Sequence, residues 1–367
     1  MEGQWVGVIQ GDNSGGLIIN IDCIDGKYQG YFLLWEETNE IVSVSADITV
    51  VRNENRVSFT GSNIQGIDKY TGQQLSYMQL EKKFPECILP ASINVTADFG
   101  DNGYLKGHYK TSIGNSGIVT LCGPNFAPSI IKVEETSWKK FKEKAWEFKD
   151  NSYLYRGQRD NTWRLRTTFH RRGRADLRRY FREDLPRLYR KVHAQTGIKF
   201  DLKCNQDIGS LLYLAQHHGF PTPLLDWSES PFVAAYFAFN EYKELKANKG
   251  QLVRIYIFDK EAWCRDSIQV ESFDSNLPTI TYNELLASGN PRATPQQAVT
   301  TLSNIDYIEA HIHQHSVKTG IQYLTAYDLP ADEFETVLAE LRLMGISASS
   351  LFPDLDGICR DLKEQYF

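Results

Sequence analysis

Leu211-Leu212-Tyr213-Leu214-Ala215-Gln216-His217-His218-Gly219-Phe220-Pro221-Thr222-Pro223-Leu224-Leu225-Asp226-Trp227 sets two adjacent histidines, a glycine, two prolines, an aspartate and a tryptophan between apolar segments. Ser228-Glu229-Ser230-Pro231 and the run from Phe232 to Phe239 follow it. A plain connection needs only turn residues; this one also carries ionisable and hydrogen-bonding side chains, so something is positioned here. Upstream, residues 208–216 have the spacing of a helix, and downstream residues 232–241 form a nearly all-apolar and therefore buried helix. Pro231 suits the first turn of that second helix, with Ser228 or Ser230 as its cap.

Working outward, strand signals alternate with helix signals, which makes this half of the chain α+β. Tyr153-Leu154-Tyr155-Arg156-Gly157 is a short apolar strand ending at a glycine, and residues 251–259 form the clearest strand of the chain. Further strands are expected around 278–282 and 324–327, with a strand or loop over 294–301. Helices are expected over 138–149, over 174–195 with a division or kink at Pro186, weakly over 305–315, over 331–344, and in the closing stretch 351–362.

Residues 1–126 follow a different rule. Short alternating runs at 5–9, 16–21, 28–34, 43–51, 56–59, 93–97, 104–111 and 117–121 are separated by turn residues such as Asp25-Gly26-Lys27. Their roughly ten-residue rhythm predicts an all-β antiparallel barrel or sandwich of about eight strands. This domain, a structural or recognition module, is followed by a linker over 127–136 and the α+β domain over 137–367.

The composition is that of an ordinary globular protein: 367 residues, 41% hydrophobic, 23% charged, net charge −6. No apolar run approaches the roughly 20 residues that span a bilayer, and no signal-peptide pattern opens the chain, so a cytoplasmic location without a membrane partner is expected. Six cysteines stand far apart with no CxxC pair and are expected to be reduced. Charge is unevenly placed: twelve of the chain's 40 Lys and Arg residues are arginines between Arg156 and Arg190. That run is either a solvated helix face or a surface for phosphate or polynucleotide, with Arg171, Arg172, Arg178 and Arg179 as its contacts.

Arg156, at the end of an apolar strand, must find an anion or carbonyl partner; it is either a structural salt bridge to an acid such as Asp226 or a fork for a diphosphate or ribose. Gly157 permits close approach of backbone or ligand. Adjacent His217 and His218 point in different directions and no third ligand has helpful spacing, so no metal is expected; one of them would instead bond a ligand or Asp226. Trp227 is either core or a stacking surface. Ser228, Glu229 and Ser230 offer hydroxyls and a carboxylate at a helix N-terminus. The GxSxG, GxGxxG and P-loop patterns are absent.

Taken together, Tyr155-Arg156-Gly157-Gln158, Ala215-Gln216-His217-His218-Gly219 with Pro221-Thr222, Leu224-Leu225-Asp226-Trp227, Ala234-Ala235-Tyr236-Phe237-Ala238, Asn290-Pro291-Arg292, Gln296-Gln297 and Leu351-Phe352-Pro353-Asp354-Leu355-Asp356-Gly357 resemble the FRG domain over about residues 135–365. Such domains occur mostly in bacterial and phage proteins, often near toxin or defence genes. After Gln297 the family usually shows a glycine and an aromatic, where this chain has Ala298 and Val299. The YRG strand, the Ser-containing strand and the following apolar helix also resemble, more weakly, the ADP-ribosyltransferase arrangement. These resemblances imply an NAD-using effector, a toxin or anti-phage factor. Arg156, His217, His218, Asp226 and Glu229 would be its catalytic set, and Tyr155, Arg156, Gly157, Trp227, Ser228, Arg292 and Gln297 would surround the nucleotide. No Glu stands where the third transferase motif would put one; Glu309 comes late. The alternative is a non-enzymatic nucleotide or nucleic-acid binding module using the arginine run, and the β domain would recognise a protein target or trigger.

Overall fold

The computed structural model describes residues 1–35, 42–100, 103–124, 129, 131–148, 152–240, 250–270, 273, 275–285 and 290–366. Residues 125–128 and 130 around the expected linker, the expected helix end at Lys149, and Glu241 lie outside the described residues.

Eight strands form the first domain: β1 (Gly3–Gly11), β2 (Gly15–Ile24), β3 (Lys27–Trp35), β4 (Ser43–Asn53), β5 (Arg56–Ile67), β6 (Ile93–Phe99), β7 (Tyr104–Thr111) and β8 (Ser116–Cys122). Each pairs antiparallel with the next and β8 returns to β1, so the domain is a closed barrel rather than a sandwich. Asp25 at φ +50° and Gly26 at φ +76° make the tight β2–β3 turn, a conformation that Asp and Gly tolerate. Inward residues of alternate parity, among them Ile19, Ile21, Phe32, Ile48, Val57, Leu105 and Leu121, fill the interior. The outward residues Ile18, Asn20 and Asp22 of β2, with Tyr31, Leu33 and Ser45 beside them, are buried as well. The second domain covers that face.

The second domain is built on a mixed seven-stranded sheet of β9 (Lys132–Glu135), β10 (Tyr153–Gln158), β11 (Leu224–Ser228), β12 (Leu252–Asp259), β13 (Ile280–Asn283), β14 (Ala298–Ser303) and β15 (Leu324–Pro330). Their order is β13-β14-β11-β10-β12-β15-β9, antiparallel throughout except at β15–β9. The edge strand β9 falls within the stretch expected as linker. Helices Trp138–Ala145, Pro231–Phe239 and Phe334–Leu343 cover one face, and helix Ile308–Thr319 packs on the other beneath Trp227, Tyr256 and Trp263. Ser137 and Ser230 cap the first two of these helices by accepting from Lys140 N and Val233 N. Ala298 and Val299 pair in register with Ser228 and Trp227, so the stretch after Gln297 continues directly as sheet. Among the described residues no helix is long and apolar enough to cross a membrane.

The arginine run is not one helix. It holds the short helix Thr168–Arg171 and then an unbroken helical stretch from Leu177 to Thr196, π-helical over Tyr180–Asp184, close to the helix expected over 174–195. Pro186 follows directly on the π turn, where Leu185 N donates to the Tyr180 carbonyl, and that widened turn accommodates its missing N–H.

Candidate ligand site

β10 and β11 share a single register pair, Tyr155 with Ser228. Beyond that pair the strands separate, and the Arg156 side chain reaches across the gap to donate from Nη1 to the Asp226 carbonyl oxygen at 2.5 Å. The separation opens a cavity of about 350 Å³, within the range that accepts small-molecule ligands. Tyr155, Arg156, Gly157 and Gln158 line it from β10, Asp226, Trp227 and Ser228 from β11. His217 contributes from the end of helix Asn205–His217, Ala234 and Phe237 from helix Pro231–Phe239, and Arg159, Trp163, Arg171, Gln296, Ala298 and Phe352 complete the wall.

The opening motif sets these groups by side-chain bonds. Gln216 donates from Nε2 to Asp226 Oδ1 at 2.5 Å and accepts a short hydrogen bond from the Thr222 hydroxyl, which fixes one carboxylate oxygen of Asp226. His217 Nδ1 lies 2.9 Å from the Tyr213 carbonyl oxygen, and Asn290 Nδ2 stands 3.0 Å from His217 Nδ1 and 3.3 Å from Nε2. Thus Asn290 of the third motif does meet His217 of the second.

Positive charge dominates the cavity. Three arginines, 156, 159 and 171, face a single carboxylate among the described residues of its wall, that of Asp226. Burial pushes the Arg156 guanidinium below its ordinary pKa; Asp226 pulls it back up and Arg171 depresses it further. Arg171 is likewise lowered, by burial first and then by Arg166, with Asp226 opposing. Both remain cations near neutral pH, since an arginine starts at about 12.5 or above. Arg156 Nε and Gln158 Oε1 are buried without a hydrogen-bond partner, and among the described residues the Arg171 guanidinium has no hydrogen bond or ion pair. The unpaired buried donor of Arg156 and the like charges held together are what an anion would relieve.

Several expected residues stand elsewhere. His218, at the helix C-terminus, is exposed and does not line the cavity. Glu229 is exposed, with its carboxylate 3.3 Å from Lys260 Nζ, because the strand alternation that turns Ser228 inward turns its neighbour out. Gln297 is exposed at φ +45°, and its neighbour Gln296 occupies the wall, donating from Nε2 to the Leu351 carbonyl at 3.0 Å. Arg292 is tied to Asp354, with Nε 3.1 Å from Oδ2, and its guanidinium lies 5.2 Å from the centre of the Phe352 ring. It braces a wall residue instead of lining the cavity. The Trp227 indole is core: it is stacked on Phe258 and donates to Thr301 Oγ1 at 3.0 Å. The Ser228 hydroxyl is used within the protein, donating to the Gln296 carbonyl at 2.8 Å and accepting from Ser230 N at 3.1 Å. Glu309 lies behind the sheet, accepting from Tyr256 Oη at 3.0 Å and Leu165 N at 2.8 Å.

Of the four arginines read as nucleic-acid contacts, Arg171 lines the cavity and Arg172 is exposed. The other two face the barrel: Arg178 bonds to Ser45 and Asn276 and lies 4.1 Å from the centre of the Tyr31 ring, and Arg179 lies 4.0 Å from Asp22 and 3.3 Å from Glu183. Trp163, Phe237 and Phe352 are wall residues for which no role had been read. The Phe352-Pro353 element of the closing motif was the signal available for the last of them.

No curated protein matches the chain. Residues 151–247 match the family model of the FRG domain, a narrower span than the motifs suggest and one that holds β10, the Gln216–Trp227 motif, β11 and the helix Pro231–Phe239. The cavity between β10 and β11 therefore belongs to an FRG domain, which this chain carries behind an eight-stranded barrel.

Proposed function

We propose that the cavity binds a nucleotide through its phosphates, with NAD as the ligand that the transferase resemblance implies. The observation that carries this reading is the pair Arg156 and Arg171: two guanidinium groups in one cavity wall, the first with a buried unpartnered Nε and the second with no partner among the described residues. A diphosphate offers each of them a fork-shaped acceptor. Trp163, half exposed at the wall, and Phe352 offer faces for a base or nicotinamide ring.

Asp226 favours a catalytic use of the same cavity. In ADP-ribosyl transfer the bond between ribose and nicotinamide breaks with its electron pair leaving on nicotinamide. An acceptor nucleophile then bonds to the same ribose carbon and gives its proton to a base. Asp226 is the lining carboxylate able to stabilise the ribosyl cation and take that proton, and Gln216 holds one of its oxygens in place. Incubation with NAD, following nicotinamide release for wild type and Asp226→Asn, tests this. Release that falls at least about 100-fold in the variant supports transfer; NAD that binds and is never cleaved leaves binding as the function.

A further inference from the structure

Arg171 reaches the cavity from a segment that the barrel holds. Asp22 of β2 is fully buried, and among the described residues its carboxylate bonds only to the second domain: Oδ1 accepts from Ala175 N at 2.8 Å and Asp176 N at 3.2 Å, and Oδ2 accepts from Arg174 Nε at 2.6 Å, with Arg179 Nη1 at 4.0 Å. Gln4 of β1, equally buried, accepts from Asp306 N at 2.8 Å; Asp306 in turn accepts from Arg166 Nη2 at 2.7 Å, and the same nitrogen donates to the His170 carbonyl at 3.0 Å. On its other side the segment is tied to the cavity wall, where Phe169 N donates to the Thr222 carbonyl at 3.0 Å and Thr222 leads through Gln216 to Asp226. The four-residue helix Thr168–Arg171 is thus suspended between barrel and cavity.

We infer that Asp22 is a positioning residue for the cavity, fixing where Arg171 stands and so how tightly a phosphate-bearing ligand is held; this rests on the nucleotide reading above. Only Arg172 and Gly173 separate Arg171 from Arg174, so a shift where Asp22 grips Arg174, Ala175 and Asp176 is carried directly to the guanidinium in the cavity. A barrel partner that disturbed this grip would change ligand affinity from outside the FRG domain.

The test is calorimetric titration of the full chain with ADP-ribose and with adenosine, for wild type, Asp22→Asn, Arg171→Ala and the double variant. Asp22→Asn keeps an oxygen for the two amides and loses the charge that holds Arg174. It should weaken ADP-ribose about tenfold and leave adenosine within about twofold, and adding it to Arg171→Ala should weaken binding no further. Arg174→Gln, which breaks the same grip from the opposite side, should reproduce the loss and serves if Asp22→Asn does not fold. ADP-ribose affinity unchanged in both variants, or a loss that adds in full to that of Arg171→Ala, overturns the inference while wild-type binding stands. A wild type that binds no ADP-ribose overturns the nucleotide reading, and the inference with it.

Discussion

Arg156 and Arg171 are separated by fifteen positions of sequence and meet at one cavity, each depressed by burial and by a neighbouring arginine. Arg171 is exposed at the cavity, whereas Arg156 has a buried, unpartnered Nε and carries the cost of a desolvated charge, part of which a bound anion returns. Arg156→Ala should therefore leave the fold intact or stabilise it slightly while removing the affinity for a phosphate-bearing ligand, which thermal unfolding with and without ADP-ribose would display. A second expectation concerns His170, buried with its Nδ1 2.8 Å from the Thr167 hydroxyl and its Nε2 unpartnered. Burial lowers its pKa from 6.5 to about 4. As pH falls, the unfolded chain takes up this proton first, so stability that is full above about 6.5 is lost progressively towards 4. The loss from this one group reaches at most about 3 kcal/mol. Asp176, raised to about 6 by burial, acts in the opposite sense, its unfavourable contribution disappearing as it protonates. Urea unfolding at pH 7 and pH 5 should therefore show a smaller acid loss in His170→Asn than in wild type; equal losses would contradict the assignment.

Gly157 shows what an element-level signal can hide. A glycine beside an arginine suggested room for backbone or ligand, and the neighbour is backbone: a Cβ there would stand 1.9 Å from the Ala234 carbonyl oxygen and 2.7 Å from Ala238 N. β10 lies directly against helix Pro231–Phe239, so Gly157→Ala should destabilise the protein by about 3 kcal/mol, measurable as a lowered urea midpoint with unchanged slope. Elements whose pattern is local were legible in the sequence. The barrel strands followed from alternation and Asp-Gly turns, β12 from its apolar run, and the capped helix after Pro231 from its own residues. The helix of the arginine run was legible too, but helical spacing cannot reveal that Asp22, about 150 positions away, divides the run between cavity and barrel. Strand β2 was expected over 16–21 and is found there, but its pattern does not tell that its second face is covered by another domain. At the site, Arg156, His217 and Asp226 were placed by motif, whereas Arg171 and Trp163 arrive through tertiary packing that no short spacing encodes.

At the scale of the molecule, the barrel and the second domain share buried polar contacts: Gln4 with Asn304 and Asp306, Asp22 with Arg174, Arg178 with Ser45. Removing one partner leaves buried charge uncompensated at a cost of about 3–5 kcal/mol. The wild type should unfold in one calorimetric transition and Asp22→Ala in two; two transitions in the wild type would mean that the interface does not couple the domains. The arginine-rich stretch thus joins one domain to the other and reaches a charged cavity at its far end. The central claim is that this cavity takes a phosphate-bearing nucleotide between Arg156 and Arg171, and titration calorimetry of the full chain with ADP-ribose, beside Arg156→Ala, tests it most directly. The account predicts saturable binding that weakens as salt rises and is lost in the variant; wild-type binding that is absent, or that Arg156→Ala leaves untouched, would contradict it.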